Sequence, residues 1–280
     1  MTPRLVIFGL GYCASQIGAA AQARGWEVVS TGRAGTLQFG DRGAVRLALA
    51  GAAQVLSSVP PDGTGLDPVL ESYGDALAEL PLSYLSSTGV YGDCGGGWAD
   101  ETAPLRGRRG ARNLADAAWC ARGARVLRLP GIYGPPYLQH AGRSALDRVR
   151  AGRAQRIDQP AQVFSRVHVD DVVSGALLAL DAPPGAYNLA DDLPASQNAV
   201  VEEACRLLGV AMPPLMSLEA AQLSPMARAF YAENRRVANG KAKRVLGWAP
   251  RYPTFIEGLR ACFNQTEASN TDAGALLAPA

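Results

Sequence analysis

A chain of 280 residues, 48% hydrophobic and 19% charged, has a globular composition and enough length for one large domain or a domain with a smaller companion. Its net charge of +2 leaves no domain-wide basic surface and speaks against nucleic-acid binding. No apolar run reaches the roughly 20 residues of a membrane span, and the apolar core of "MTPRLVIFGLGY" is too short for a signal peptide.

In chain order, "RLVIFGLG" is a short apolar run ending in glycines, and "CASQIGAAAQARG" has the pattern of a small-residue helix closed by Gly25. "WEVVSTGR" and "QVLSSVPP" follow as strands. A helix is then expected over about residues 67–79, opened by Pro68 near its first turn. "LSYLSSTGVYG" and "ARVLRLPGIYG" are two further buried strands running into glycine turns, with the helical "RNLADAAWCARG" between them. Strands separated by helices require crossover connections, hence an α/β fold with a parallel sheet covered on both faces. The five cysteines form no CxxC pair, against a disulfide framework or structural zinc. With His140 and His168 as the two histidines, a multi-histidine metal site is excluded, no metal is expected, and the expected compartment is the cytosol.

"GLGYCA" sets Gly9, Gly11 and Ala14 in a G-x-G-x-x-A pattern between the first strand and the first helix, with Tyr12 and Cys13 inside it. Gly9 permits the tight turn, Gly11 lets backbone approach a pyrophosphate, and Ala14 keeps the helix close to the sheet. An NAD site usually carries an acidic residue at the end of the second strand, about 20 residues on. Here Ser30, Thr31, Gly32 and Arg33 stand there instead. Arg33 suits a 2′-phosphate through its planar fork and Thr31 adds a hydroxyl, so NADP is favoured over NAD. The alternative for Arg33 is a solvated loop residue.

From "GLGYCA" through "SVPPDGTGLDPVL", "YLSSTGVYGD", "LRLPGIYGP", "RVHVDDVVSGALLAL" and "AYNLADD" to "RRVANGKAKRVLGWAPRYPTFIEGL", the chain resembles extended and atypical short-chain dehydrogenase/reductases. More narrowly it resembles the YeeZ-like branch of the NAD-dependent epimerase/dehydratase family. The resemblance implies a Rossmann-like doubly wound parallel sheet of about seven strands over residues 1–190, with 134–166 contributing to the substrate cleft. It further implies a smaller substrate-capping region over 191–264, and residues 265–280 are expected as a flexible tail. Ser57, Val59 and Pro60 then end the fourth strand beside the adenosine, and Pro130, Gly131 and Ile132 lie against the nicotinamide. Ser87 matches the active-site Ser/Thr that binds the substrate's reacting oxygen, the alternative being a strand-end cap. Thr88 and Gly89 stand where dehydratases of the group carry acidic residues, against sugar-nucleotide dehydration.

The family's acid/base pair is a Tyr followed four residues later by a Lys, and an acidic residue lies four further on. Aligning that residue on Asp116 puts Arg112 at the Lys position and Arg108 at the Tyr position; no Tyr or Lys occurs from residue 92 to 132. Arginine does not exchange protons at neutral pH, although Arg112 can supply the positive charge and hydrogen-bond a ribose. Tyr91 or Tyr133 can be recruited as the acid or can simply pack in their turns. Arg108, Arg109 and Arg112 suit an anion clamp or a solvated helix start. Arg235, Arg236 and Asn239 can face the cleft or the surface. Asp170 or Asp171 is expected as a helix N-cap, with His168 packed.

The expected function is that of an NADP-binding oxidoreductase, reductase or epimerase in type, acting on a small anionic substrate. Ser87 and Arg112 would orient hydride transfer. A catalytically silent NADP-binding sensor and a nucleotide-sugar epimerase are the alternatives, and the oligomeric state, monomer or homodimer, stays open.

Overall fold

The computed structural model describes residues 2–63, 65–135 and 144–275. From the N-terminus, β1 (Arg4–Phe8) leads to α1 (Tyr12–Ala23), β2 (Glu27–Ser30), α2 (Arg42–Ala50), β3 (Gln54–Ser57), α3 (Pro68–Tyr73) and β4 (Leu82–Ser87). Then come β5 (Trp98–Ala99), α4 (Gly110–Ala121), β6 (Arg125–Leu129), β7 (Gly131–Tyr133), α5 (Ala145–Arg150) and β8 (Arg156–Ile157). After them follow β9 (Arg166–His168), α6 (Val169–Ala179), β10 (Gly185–Asn188) and α7 (Gln197–Leu208). The remaining elements are β11 (Leu215–Met216), α8 (Pro225–Tyr231), β12 (Arg236–Val237), α9 (Gly240–Leu246) and α10 (Phe255–Ala275).

The central sheet runs β10-β6-β4-β3-β1-β2 and every pairing is parallel. Alternation along β1 feeds both faces. Leu5 and Ile7 join Ala14, Ile17, Val172 and Trp248 under α1, α6 and α9. Val6 and Phe8 join Val45, Tyr73, Tyr84 and Trp119 under α2, α3 and α4. The doubly wound α/β expectation holds, with six strands instead of about seven. Beyond β2 the edge is reduced to one bridge between Thr31 and Leu37, in a turn where the Thr36 hydroxyl bonds both the amide and the carbonyl of Ser30 and the Gly35 and Leu37 amides donate to the Gly32 and Ser30 carbonyls. Ser57 therefore ends the third strand in chain order, not the fourth.

Two local expectations are also corrected. Asp67 caps α3 by accepting from Val69 and Leu70, but the helix stops at Tyr73 rather than near 79. At the other end, the tail expected from 265 is helical to Ala275. Phe263 packs against the core of Val200, Phe255 and Leu259, and Glu267 pairs with Arg150 at 2.8 Å, so this stretch has partners that its own spacing does not advertise. Residues 276–280 of the expected tail lie outside the described residues.

A smaller lobe forms beside the carboxyl ends of β4 and β6. There α5, α7 and α10 enclose their own apolar cluster, and β8 pairs with β11. The lobe is tied to the sheet by β12, which pairs with β5 in register Arg236↔Trp98 and Val237↔Ala99. Asn234 reinforces this seam: its carbonyl accepts from the Cys94 and Gly96 amides, and its own amide donates to Asp93 Oδ1.

Candidate functional site

The turn after β1 is built from both sides. Gly9 has φ +82°, and a Cβ there would meet Val59 Cγ2 at 3.0 Å and Ser58 Oγ at 3.1 Å, so glycine is needed for both conformation and space. The Gly9 amide donates to Thr31 Oγ1 at 3.3 Å, and Ser58 Oγ donates to the Gly9 carbonyl. Thr31, almost fully buried, thus pins the loop with the hydroxyl that the sequence offers to a phosphate. Gly11 is different. It caps α1 with no side-chain hydrogen bond, and a Cβ there would meet nothing within 4 Å. The first amides of α1 are left without intrahelical acceptors and open on unfilled space, which fits the pyrophosphate of a dinucleotide.

The remaining expected cofactor residues surround that space or support it. Ala14 is buried against the sheet, and burial pushes the neighbouring Cys13 thiol up to about 11. Tyr12 donates to the Pro135 carbonyl at 3.0 Å, tying this loop to the segment after β7. Ser57 is wholly buried and accepts from the Val59 amide at 3.4 Å, whereas Pro60 is exposed. Arg33 is exposed and makes no ion pair among the described residues, open to a 2′-phosphate. Pro130 and Gly131 line the neighbouring cleft; Ile132, 39% exposed, is not part of its wall.

That cleft has a volume of about 490 Å³ and lies between the sheet and the smaller lobe. Ser87 sits at its sheet wall, where β4 ends. Ser87 Oγ accepts from the Gly89 amide at 3.1 Å, so its own proton remains available for donation into the cleft. Arg108, Arg109 and Arg112 line the same wall, with α4 starting directly after Arg109. They differ in their commitments. Arg108 Nε donates to Glu233 Oε1 at 2.9 Å, and Arg235 from the smaller lobe donates to Glu233 Oε2 at 2.7 Å. Arg112 approaches the buried Tyr84 hydroxyl closely enough to favour its ionised form, though burial still holds that phenol well above its ordinary value.

Tyr91 is set apart from this wall. It is 2% exposed, donates to Asn188 Oδ1 at 2.7 Å and accepts from Arg128 at 3.0 Å. Burial pushes it up to about 12. Beneath it Arg128 forms a two-pronged contact with Asp116, 2.7 and 3.1 Å, and Ser86 Oγ donates to the same carboxylate at 2.6 Å. Burial opposes the Arg128 charge, but the Asp116 carboxylate more than offsets it. Tyr91 and Asp116 are thus parts of a closed support under the cleft, and the recruited-acid role offered for Tyr91 has no geometry to serve it. Tyr133 is likewise turned away, its hydroxyl directed to the Thr254 carbonyl.

The "RVHVDD" stretch also departs from expectation. His168 caps α6 by accepting from the Asp170 amide at Nδ1, 3.2 Å; Asp171 instead accepts from the Arg251 and Tyr252 amides. The His168 ring lies between Tyr133 and Tyr252, and burial lowers it to about 4. Arg236 and Asn239 hold backbone carbonyls of Gly96 and Ala190 rather than the cleft.

Several cleft residues escaped the sequence reading: Arg148, Arg153, Phe164, Arg166, Tyr231 and Glu233. One signal was present. "RVRAGRAQR" holds Arg148, Arg150, Arg153 and Arg156, a second run of four arginines, slightly more spread than the one at 106–112. Arg166 is buried, its guanidinium donating to the Phe164 and Ala195 carbonyls at 2.9 Å each, and burial lowers it to about 10. Behind it Asp191 is 2% exposed, and neither of its carboxyl oxygens has a side-chain partner. Burial raises Asp191 to about 7, with Arg166 opposing. No group of three metal-ligating side chains occurs among the described residues, and no helix among them is long and apolar enough to cross a membrane.

The fold is shared with solved NAD-dependent epimerases and dehydratases. dTDP-glucose 4,6-dehydratase from Bacillus anthracis str. Ames, solved with NAD, superposes with a TM-score of 0.76 at 16% identity, over 95% of this chain and 97% of that one. UDP-glucose 4-epimerase from Thermotoga maritima gives 0.75 at 16%, over 95% and 99%. Within that fold, the chain belongs to one family with a functionally unknown conserved protein from Silicibacter pomeroyi DSS. The two are 37% identical, with a TM-score of 0.82 over 94% of this chain and 99% of that one. Protein YeeZ of Escherichia coli K12 is 27% identical over 75% of this chain and 85% of its own length. A Streptomyces 3-diazoavenalumate denitrifying reductase is 35% identical over 142 residues, 48% of this chain and 45% of the reductase, so the match spans less than half of that relative. No family model matches the chain.

Proposed function

We propose that the protein is an NADP-binding oxidoreductase, reductase or epimerase in type, that acts on a small anionic molecule without a Tyr–Lys acid/base pair. The observation that carries this reading is the lining of the cleft onto which Ser87 opens, where seven arginines and one carboxylate, Glu233, occur among the described residues. A bound nicotinamide would supply or take up the hydride. Everything else falls to the chain: Ser87 donates a hydrogen bond to the reacting end of the substrate, and Arg112 holds positive charge beside it. The amides at the start of α1 hold the pyrophosphate, and Arg33 meets the 2′-phosphate.

Because Arg108 stands at the acid position and does not exchange protons, an electrophile that needs no new proton from a side chain suits this cleft best. The Streptomyces relative, a reductase named for a diazo-substituted anion, agrees with that chemistry. The cytosol is the compartment proposed, in keeping with five free cysteines. The sensor reading has one observation in its favour, the Arg108–Glu233 pair that occupies the acid position. The epimerase reading has the neighbours' fold alone.

The test is oxidation of NADPH against matched anionic and neutral electrophiles, with Ser87→Ala beside the unaltered protein. Turnover of anions that falls at least tenfold in Ser87→Ala is expected. Turnover restricted to neutral compounds would refute the anionic substrate. No turnover at all, with NADPH changing assembly or partner binding, would establish the sensor.

A further inference from the structure

The arginines of the cleft fall into two sets. On the sheet wall Arg108 is neutralised by Glu233, which also takes Arg235. On the wall of the smaller lobe, "RVRAGRAQR" sends its cations in two directions. Arg150 and Arg156 pair with Glu267 and Glu202 at 2.8 Å each. Arg148 and Arg153 line the cleft, are open to solvent there and have no carboxylate partner among the described residues.

Their surroundings say what they can hold. The protein packed around Arg148 and the neighbouring Arg153 both disfavour its charge, a repulsion that a bound anion would relieve. Tyr231 stands within electrostatic reach of Arg148 and Arg166, and its hydroxyl has no hydrogen-bond partner among the described residues. Burial keeps that phenol in its O–H form, a donor for an anion. Phe164 meets Tyr231 edge-on at 5.5 Å, and Phe230, also on the cleft, is 49% exposed. Three aromatic rings beside two unpaired guanidinium forks match a flat ring that carries a carboxylate.

We propose that Arg148, Arg153 and Tyr231 form the seat for the carboxylate of an aromatic acid, its ring held by Phe164 and Phe230. The proposal rests on the anionic-substrate reading given above. It moves the anion away from the clamp before α4, whose Arg108 already holds Glu233, and leaves the sheet wall with Ser87 to the reacting end.

Binding is measured by calorimetry on the full chain, without turnover, so a failure to oxidise NADPH does not touch the result. The probes are trans-cinnamate, its neutral amide and acetate. Cinnamate should bind, with cinnamamide and acetate each at least tenfold weaker. Arg148→Gln and Arg153→Gln should each weaken cinnamate at least tenfold, and Arg150→Gln, on the same segment but paired with Glu267, should not. Circular dichroism checks the fold of each variant. Arg148→Lys, which keeps the charge and loses the fork, should fall between the unaltered protein and Arg148→Gln. Absence of cinnamate binding, equal binding of the amide, or indifference to both Arg148→Gln and Arg153→Gln overturns the proposal.

Discussion

Asp191→Asn should make the protein more stable at neutral pH and expose a titration that the unaltered chain conceals. Asp191 is 2% exposed, its carboxylate has no side-chain hydrogen bond among the described residues, and burial raises it from 3.8 to about 7 against the pull of Arg166 and nearby backbone amides. Between those values the folded state binds a proton that the unfolded state has released, so stability falls as pH rises through this window. A difference of that size corresponds to on the order of 4 kcal/mol at full effect. Above pH 7 the ionised Asp191 also steadies the buried Arg166, so a plateau gain of roughly 2–4 kcal/mol is expected for Asn. His168 works in the opposite sense. Buried and lowered from 6.5 to about 4, it stays neutral when the unfolded chain is protonated, so its contribution is present above 6.5 and is lost as pH falls towards 4. From about pH 4 to 6.5 the two slopes oppose each other in the unaltered protein. Asp191→Asn leaves the His168 slope alone, about 1.4 kcal/mol per pH unit. Urea unfolding followed by tryptophan fluorescence at pH steps from 4 to 8 measures both profiles. A stability difference between Asn and Asp that does not change with pH would refute the reasoning.

Three further outcomes are expected. Gly11→Val should abolish dinucleotide binding while circular dichroism stays unchanged, since the Cβ enters space empty of protein; normal NADPH titration would reduce the loop to a structural turn. Arg33→Ala should remove a preference for NADPH over NADH, and equal affinities in the unaltered protein would end the NADP assignment. Asp116→Ala strands the buried Arg128 and should cost about 3–5 kcal/mol in denaturant unfolding, part of which Arg128→Leu in the same chain should restore.

The first half of the fold was legible because its signals are local. The apolar run into Gly9 and the small-residue helix behind it fix β1 and α1 within a few residues. The missing edge strand was not legible, because the turn in its place is held by contacts of Gly35, Thr36 and Leu37 with the backbone of residues 30 and 32. At α6, aspartate is the better capping residue by type, yet His168 takes the cap because Asp171 is drawn to the backbone of residues 251 and 252. In the site, Arg108, Arg109 and Arg112 could be found since they share one segment. Glu233 and Tyr231 could not, since nothing in their own spacing announces that Glu233 meets Arg108 or that Tyr231 stands near Arg148 and Arg166.

The polar contacts joining Ser86, Tyr91, Asp116, Arg128 and Asn188 knit β4, α4, β6 and β10 below the floor of the cleft. Every charge in that foundation is answered inside it, and none depends on what stands above. A tyrosine or lysine at the mouth of α4 could therefore be exchanged for arginine without loosening the strands that aim Ser87. Chemistry and architecture occupy separate storeys here. Residues of the cleft wall can thus be exchanged while the contacts that hold the strands in place stay intact.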